Sequence, residues 1–155
     1  MAFKLRANPI VERPGAVLLA ADGTPKLRTT GAKAGQPKHQ VARHDVVMDA
    51  KRRMNWSSLA PDERPTLAHL AQDAGSRWLQ AREGRLGCRF DADRLRADGY
   101  RAHRMRGRGI RLSTLNFEGE LTVTDTARFS DALLHGIGPA KSFGCGLLLV
   151  RRVTS

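Results

Sequence analysis

The feature that most constrains this fold is the glycine-rich stretch at residues 136–146, GIGPAKSFGCG, which runs directly into an apolar segment. Four of its eleven residues are glycine, and Leu147 to Val150 follow at once. Glycine lets the backbone turn tightly and come close to another surface, and an apolar run of this length is typical of a buried strand. The pattern therefore predicts a loop that leads into a strand.

The same loop carries groups that suit an anion. Lys141 and Ser142 stand between the glycines, and an ammonium, a hydroxyl and exposed backbone N–H groups together can hold a phosphate. We therefore interpret Gly136, Gly138, Lys141, Ser142 and Gly144 as candidate phosphate-binding residues. The stretch is not a Walker motif, so a tight turn that ends a helix at Gly136 is an equally good interpretation.

The charge of the chain indicates the chemistry of its partner. The 155 residues include 27 Lys and Arg against 15 Asp and Glu, for a formal net charge of +12, which predicts a polyanionic partner. Most of the bases are arginine, and no basic amphipathic helix is evident, so nucleic acid is favoured over a membrane surface. We expect no membrane partner and a cytoplasmic location, because neither a spanning segment nor a signal peptide is present.

The cysteines indicate neither a disulfide framework nor a metal site. Cys88 and Cys145 are too few for the first and lack the spacing of the second. The sequence therefore predicts no metal and no cofactor.

The chain opens with a segment of strict alternation, FKLRANP at residues 3–9. Apolar residues at every second position predict a strand with Phe3, Leu5 and Ala7 inward. Lys4 and Arg6 then share the other face and are candidate nucleic-acid contacts. A strand this close to the chain start is unusual, since termini are commonly loose, and it suggests that an upstream half is missing.

A basic segment follows at about residues 24–45. It mixes Pro, Gly, Thr and Lys with few apolar residues, so we predict a loop that orders only on binding. Its candidate RNA-binding residues are Lys26, Arg28, Lys33 and Lys38. A solvated surface loop is the alternative. On either side, residues 17–20 predict a short strand, and residues 46–48 a short strand or a helical turn.

The remaining elements predict the fold. Helix-start signals precede a helix over about residues 67–82, strands follow at 100–105 and 110–123, Asp125 caps a second helix, and a strand closes the chain at 144–153. The order strand, helix, strand, strand, helix, strand is the split βαβ arrangement. We therefore predict a single α+β domain over residues 1–155, ferredoxin-like and RRM-like, with an antiparallel sheet and two helices on one face.

An arginine-rich ribbon joins two of these strands at about residues 101–111. Gly107 and Gly109 predict a hairpin tip, and the segment holds five arginines in eleven residues, of which the candidate RNA contacts are Arg104, Arg106, Arg108 and Arg111. Such a ribbon can follow a phosphate backbone or enter a groove. Edge-strand charges that discourage sheet pairing are the alternative, although one or two charges suffice for that purpose.

Four segments together resemble the second half of the CasE family, the repeat-processing endoribonuclease of the type I-E CRISPR system. They are FKLRANPI at 3–10, WLQ at 78–80, NFEGELTV at 116–123 and the glycine stretch with the strand after it at 136–148. The resemblance implies two tandem ferredoxin-like domains that bind the stem-loop of CRISPR repeat RNA, cut it without a metal, and stay with the product in the Cascade complex. Its partners would be the repeat RNA and other Cascade subunits.

The resemblance also implies where the catalytic residues lie. In that family the catalytic histidine and its tyrosine neighbour belong to the first domain, and no residue here matches them. We therefore expect cleavage through the 2′-hydroxyl to depend on a first domain absent from this chain, supplied upstream or by a separate chain. The chain's own histidines form no evident constellation; they are His39, His44, His69, His103 and His135.

A second function remains open on the same residues. A truncated or split CasE would be a non-catalytic RNA-binding module retained in Cascade. The few aromatic residues are not interleaved with basic ones, so the shape of a structured stem suits this composition better than capture of unpaired bases.

Overall fold

The computed structural model describes residues 1–104 and 111–153. The chain forms two compact units, one made of Met1–Ile10 with Asp45–Ser155 and one made of Val11–His44. In chain order the elements are β1 (Ala2–Ala7), β2 (Ile10–Val17), β3 (His39–Asp45), α1 (Val46–Arg53), α2 (Leu67–Gln80), α3 (Glu83–Leu86), β4 (Cys88–Phe90), β5 (Arg96–Arg104), β6 (Arg111–Val123), α4 (Thr126–His135) and β7 (Leu148–Arg151).

The larger unit is built on an antiparallel sheet in which β1 lies between β6 and β7. The long strand β6 pairs on its other side with β5 and, further along, with β4. Leu5 stands opposite Phe117 of β6 and opposite Leu148 of β7. The order β5, β6, β1, β7, with α2 and α4 as the connections, is the ferredoxin-like arrangement. The predicted α+β fold is confirmed.

Alternation along β1 separates the core from the open face of the sheet. Phe3, Leu5 and Ala7 are buried, whereas Lys4 and Arg6 are exposed, as the sequence predicts. On the buried side, Trp78 of α2 stacks on Phe117 with ring centroids 5.7 Å apart. The core therefore lies between this sheet face and the helices, and the charged face of β1 stays available to a partner.

Both predicted long helices are present and begin at the expected caps. The Thr66 side chain accepts a hydrogen bond from the backbone N–H of His69, and Asp125 does the same for Arg128. Each cap satisfies an otherwise unpaired N–H group of the first turn. Helix α4 ends at His135. The next residue, Gly136, donates its backbone N–H to Ala132 O and has a φ of 70°, which favours glycine.

The smaller unit differs from the predicted loop. Strands β2 and β3 pair with each other, so the segment at 24–45 already includes a strand over His39–Asp45. Further out, Leu18 N–H donates to Lys38 O at 2.7 Å, and Lys26 N–H donates to Leu18 O at 2.8 Å. Of the strand expected at 17–20, only Val17 belongs to β2, and Leu19 forms an isolated bridge with Pro25. Backbone hydrogen bonds build this unit without the apolar alternation by which a strand is recognised.

Of the two forms predicted for residues 46–48, the helical one is present. These residues begin helix α1, because Asp45 accepts hydrogen bonds from the backbone N–H groups of Val47 and Met48. Two strands differ from their predicted bounds. Strand β5 begins at Arg96 and has a bulge between Asp98 and Arg101. Strand β7 is shorter than predicted. The tip of the arginine ribbon, with Arg106 and Arg108, lies outside the described residues.

The described part of the chain has neither a membrane-spanning helix nor a cluster of metal-ligand side chains. None of its helices is both long and apolar enough to cross a membrane. No three His, Cys, Asp or Glu side chains among these residues cluster so as to hold a metal ion.

Gly87 is a glycine that the packing requires, and it generates a stability prediction. Its φ is 66°, and a Cβ there would lie 2.4 Å from the Asp125 carbonyl oxygen. We expect Gly87→Ala to lower the free energy of unfolding by about 2–4 kcal/mol, through backbone strain and overpacking at the start of α4. Denaturant unfolding followed by circular dichroism measures the change.

Gly84 supplies the matched control three residues earlier. A Cβ there meets nothing within 4 Å, so Gly84→Ala should leave the free energy of unfolding unchanged or raise it by up to about 1 kcal/mol. Equal stability of the two variants would contradict the packing described at Gly87.

Candidate nucleic-acid interface

The two ends of the glycine loop lie in close backbone contact with each other. Ile137 N–H donates to Gly146 O at 2.8 Å. A Cβ on Gly136 would lie 2.8 Å from that same oxygen, and a Cβ on Gly146 would lie 2.9 Å from Ile137 O. Only glycine permits this approach, so these two glycines serve the closure of the loop.

The closed loop is anchored to the sheet and to α2. Gly146 N–H donates to Arg6 O of β1 at 2.7 Å, and a Cβ on Gly138 would lie 3.4 Å from the Trp78 ring. Ile137 and Cys145, on either side of the loop, are buried. The loop is thus held as a platform between β1 and α2.

The tip of the loop remains open. Residues Lys141–Phe143 form a 3₁₀ turn, and Lys141, Ser142 and Gly144 are exposed. A Cβ on Gly144 would meet nothing within 4 Å, so a partner can approach the backbone at this point. The base of the loop is therefore a tight turn, which was the alternative interpretation of this stretch. Its tip carries Lys141 and Ser142, whose ammonium and hydroxyl groups suit a phosphate.

A groove on the open face of the sheet brings the loop and β1 together. It has a volume of about 420 Å³ and is lined by Lys4 and Arg6 from β1, Gly144 from the loop, and Asn116 and Glu118 from β6, among others. Lys4 and Arg6 were predicted from the strand pattern and Gly144 from the glycine loop. The structure places all three on one concave surface.

The two basic side chains of the groove are held differently. Lys4 Nζ lies 3.5 Å from the Glu118 carboxylate, and both side chains are more than half exposed. No carboxylate among the described residues forms an ion pair with Arg6, whose Nη2 instead lies 3.5 Å from the Thr114 hydroxyl oxygen. The charge of Arg6 is therefore less neutralised within the protein than that of Lys4.

The other predicted contacts lie elsewhere. Lys26, Arg28, Lys33 and Lys38 are exposed in the smaller unit, where Arg28 and Lys33 line a groove of about 550 Å³ that Lys26 and Lys38 do not line. Arg104 and Arg111 stand opposite each other at the described ends of β5 and β6.

Sequence reasoning missed several polar residues near the groove. Thr114 is 4% exposed, and its hydroxyl oxygen lies 2.9 Å from His103 Nε2. Asp98, Asn116 and Glu118 line the groove. The outward positions of Asn116 and Glu118 on β6 follow from alternation. The neighbours of these residues on β5, including Asp98, depend on the register across the bulge in β5, which no sequence pattern indicates.

One histidine pairs with a carboxylate. His135 Nδ1 lies 2.9 Å from Asp131 Oδ1, and both side chains are more than 70% exposed. Such an exposed pair within one helix is a common surface feature and leaves the imidazole without a fixed setting.

Comparison with known proteins identifies related chains. A family described as CRISPR associated protein matches residues 1–152. The CRISPR system Cascade subunit CasE of Escherichia coli (strain K12) is 50% identical over 42 residues, which are 27% of this chain and 21% of that protein.

Solved structures extend the likeness over nearly the whole chain. Cas6e from Escherichia coli str. K-12 has a TM-score of 0.51 at 24% identity, covering 96% of this chain and 57% of that one. Thermus thermophilus Cse3, bound to an RNA representing a pre-cleavage complex, has a TM-score of 0.57 at 23% identity, covering 97% and 52%. These likenesses show a shared fold, and the chain spans about half the length of the solved relatives it matches.

The thiol beside the loop provides a test of loop closure. Burial raises the pKa of Cys145 above its usual value, with Arg6 acting in the opposite direction, and burial with a contribution from Glu83 raises that of Cys88 to about 11. A raised pKa lowers the thiolate fraction at a given pH, and the thiolate is the reactive form. We expect both thiols of the folded protein to react with a disulfide reagent at pH 8 at least tenfold more slowly than in denaturant.

The labelling rates of the two thiols are measured individually in the single variants Cys88→Ala and Cys145→Ala. Fast labelling of Cys145 in the folded Cys88→Ala variant would contradict a closed loop.

Proposed function

Because this chain belongs to the CRISPR associated protein family, we propose that it binds CRISPR repeat stem-loop RNA and takes part in its processing as a cytoplasmic Cascade subunit. The observation that carries the proposal is the groove in which Lys4, Arg6 and the open backbone at Gly144 meet. Phosphate oxygens accept hydrogen bonds from guanidinium and ammonium groups. The Gly144 N–H donates to Lys141 O at 3.0 Å, so glycine at this position contributes close approach of the phosphate to the loop. The net charge of +12 supports the same partner.

The arrangement suits a folded stem better than single bases. The groove offers two cationic side chains and an open backbone segment to the phosphates of an RNA strand. The two tryptophans of the protein both pack against other side chains and are not free to stack on bases. Trp78 is buried, and the Trp56 ring carries Lys51 at 4.4 Å and Arg64 at 4.7 Å. Duplex RNA is recognised chiefly by shape and by backbone contacts.

The tip of the glycine loop would add further phosphate contacts through Lys141 and Ser142. Arg104, Arg106, Arg108 and Arg111 would meet the stem as a second basic segment. The cations of the smaller unit, Lys26, Arg28, Lys33 and Lys38, would make phosphate contacts of their own, and each basic residue that neutralises a phosphate would release counterions.

Processing of the RNA would also require a general base and a general acid, in addition to the cations that bind phosphate. Attack by a 2′-hydroxyl needs a base to remove its proton and an acid to protonate the leaving oxygen. No hydrogen bond or ion pair among the described residues links two of the five histidines, and His135, whose imidazole lies beside the Asp131 carboxylate, is exposed. We propose that the catalytic histidine is supplied by a first domain, upstream or in a separate chain.

The alternative is a non-catalytic RNA-binding module of Cascade. Binding alone would account for the groove and the charge, and only cleavage separates the two functions.

The binding proposal is tested with labelled repeat hairpin and a duplex RNA of unrelated sequence across a salt series. We expect tighter binding of the repeat hairpin at every salt concentration and a steep salt dependence for both, because phosphate contacts release counterions. Lys141→Ala should flatten the salt slope by about 1. Equal affinity for the two RNAs throughout the series would leave a general polyanion binder.

Arg77→Ala serves as the matched control for Lys141→Ala. Arg77 is an exposed arginine on α2, paired with Asp73, and its removal changes the net charge by the same amount. A flattened slope in the control as large as in Lys141→Ala would mean that overall charge, and not the loop, determines binding.

The cleavage proposal is tested by incubating labelled repeat RNA with the chain in chelator and resolving the products on a gel. We expect no site-specific cutting by the chain alone and cutting when a first domain is supplied, since loss of a general acid or base costs about 10²- to 10⁴-fold in rate. Cutting at the base of the stem by the chain alone, abolished by His44→Ala, His103→Ala or His135→Ala, would overturn it.

A further inference from the structure

Thr114 is a buried hydroxyl between two basic side chains on the open face of the sheet. Its side chain lies on β6 and is almost fully shielded, with 4% of the residue exposed. Nη2 of Arg6, on β1, lies 3.5 Å from the Thr114 hydroxyl oxygen. Nε2 of His103, on β5, lies 2.9 Å from the same oxygen. Three strands thus contribute one side chain each to a single hydrogen-bonded chain.

The donors and acceptors of this chain follow from their chemistry. A guanidinium can only donate, so the Arg6 N–H group donates to Thr114 Oγ1. If His103 also donated, the Thr114 proton would be left without an acceptor in a buried setting, which is costly. The arrangement that satisfies every group has Thr114 O–H donating to His103 Nε2, with the imidazole proton on Nδ1.

The backbone of Arg6 is fixed as well. Its carbonyl accepts the Gly146 N–H that anchors the glycine loop, and its partner across β6 is Asn116. Only the long side chain of Arg6 retains freedom, and the hydroxyl of Thr114 reduces it. Immobilising such a side chain costs free energy on binding, so a protein that holds it in advance binds more tightly.

A hydroxyl orients the guanidinium without neutralising it. Glu118 stands beside Lys4 and offsets its charge, whereas the contact with Thr114 uses one of the five N–H donors of Arg6 and leaves the positive charge in place. Four donors remain for a phosphate, enough for a bidentate contact.

We propose that Thr114 and His103 are positioning residues that hold the Arg6 guanidinium ready for a phosphate of the RNA. The proposal rests on the RNA binding proposed above and names two further residues that determine the affinity of the groove. Neither residue needs to touch the RNA.

The test is a double-mutant cycle on the full chain, measured as affinity for the labelled repeat hairpin over a salt series. Thr114→Val keeps the shape of the side chain and removes the hydroxyl, and we expect it to weaken binding about three- to tenfold with an unchanged salt slope. Arg6→Ala should weaken binding and reduce the slope by about 1. In the Arg6→Ala background, Thr114→Val should have no further effect.

Three variants separate positioning from a structural role. Thr114→Ser retains the hydroxyl and should bind like the unaltered protein, and His103→Leu should lose about as much affinity as Thr114→Val. Thr122→Val removes an exposed hydroxyl on the same face of the same strand and should change nothing. Thermal unfolding of every variant identifies any loss of the fold.

The outcomes are distinguishable. If Arg6→Ala weakens binding but Thr114→Val in a folded protein does not, the positioning role is overturned while RNA binding by the groove stands. Equal losses from Thr114→Val with and without Arg6 would also overturn it, since the effect would then be structural. If Arg6→Ala leaves affinity and slope unchanged, Arg6 contacts no phosphate and this inference fails with that part of the proposed function.

Discussion

The hydrogen bond from Gly146 N–H to Arg6 O joins the two parts of the chain on which the candidate site depends. It fixes the end of the glycine loop to β1, and β1 is the strand that places Lys4 and Arg6 on the open face of the sheet. Together with the pairing of β7 with β1, it holds the closed base of the loop beside the basic side chains. Glycine at 146 is needed because a side chain there would collide with Ile137 O.

On the open face of the sheet, a carboxylate offsets one of the two cationic side chains of β1 but not the other. Glu118 lies beside Lys4, whereas Arg6 is steered by a hydroxyl. Exposed ion pairs contribute little to stability, so the pairing of Lys4 matters more for the potential of the groove than for the fold. The groove therefore presents one fully available cation next to one that is partly offset.

The elements predicted well are those in which burial imposes a period on the sequence. Alternation located β1 because one face is in the core, helical spacing located α2, and Asp125 located the start of α4. Most of β2 and all of β3 were not predicted, because none of their residues is buried and burial therefore imposes no period on them. At residues 46–48 the sequence left strand and helix open, because three residues are too few to show a period, and capping by Asp45 decided for the helix.

The sequence by itself determined the fold class, the basic character of the partner and the identity of the loop residues, since composition, period and glycine spacing are local properties. Only the tertiary structure decided which of the basic residues meet. Arg6 and Thr114 are 108 residues apart, and His103 reaches Thr114 through a register that the bulge in β5 shifts. A shift of register changes every cross-strand neighbour while leaving the pattern of the sequence unaltered, because alternation reports the face of a strand but not its partner.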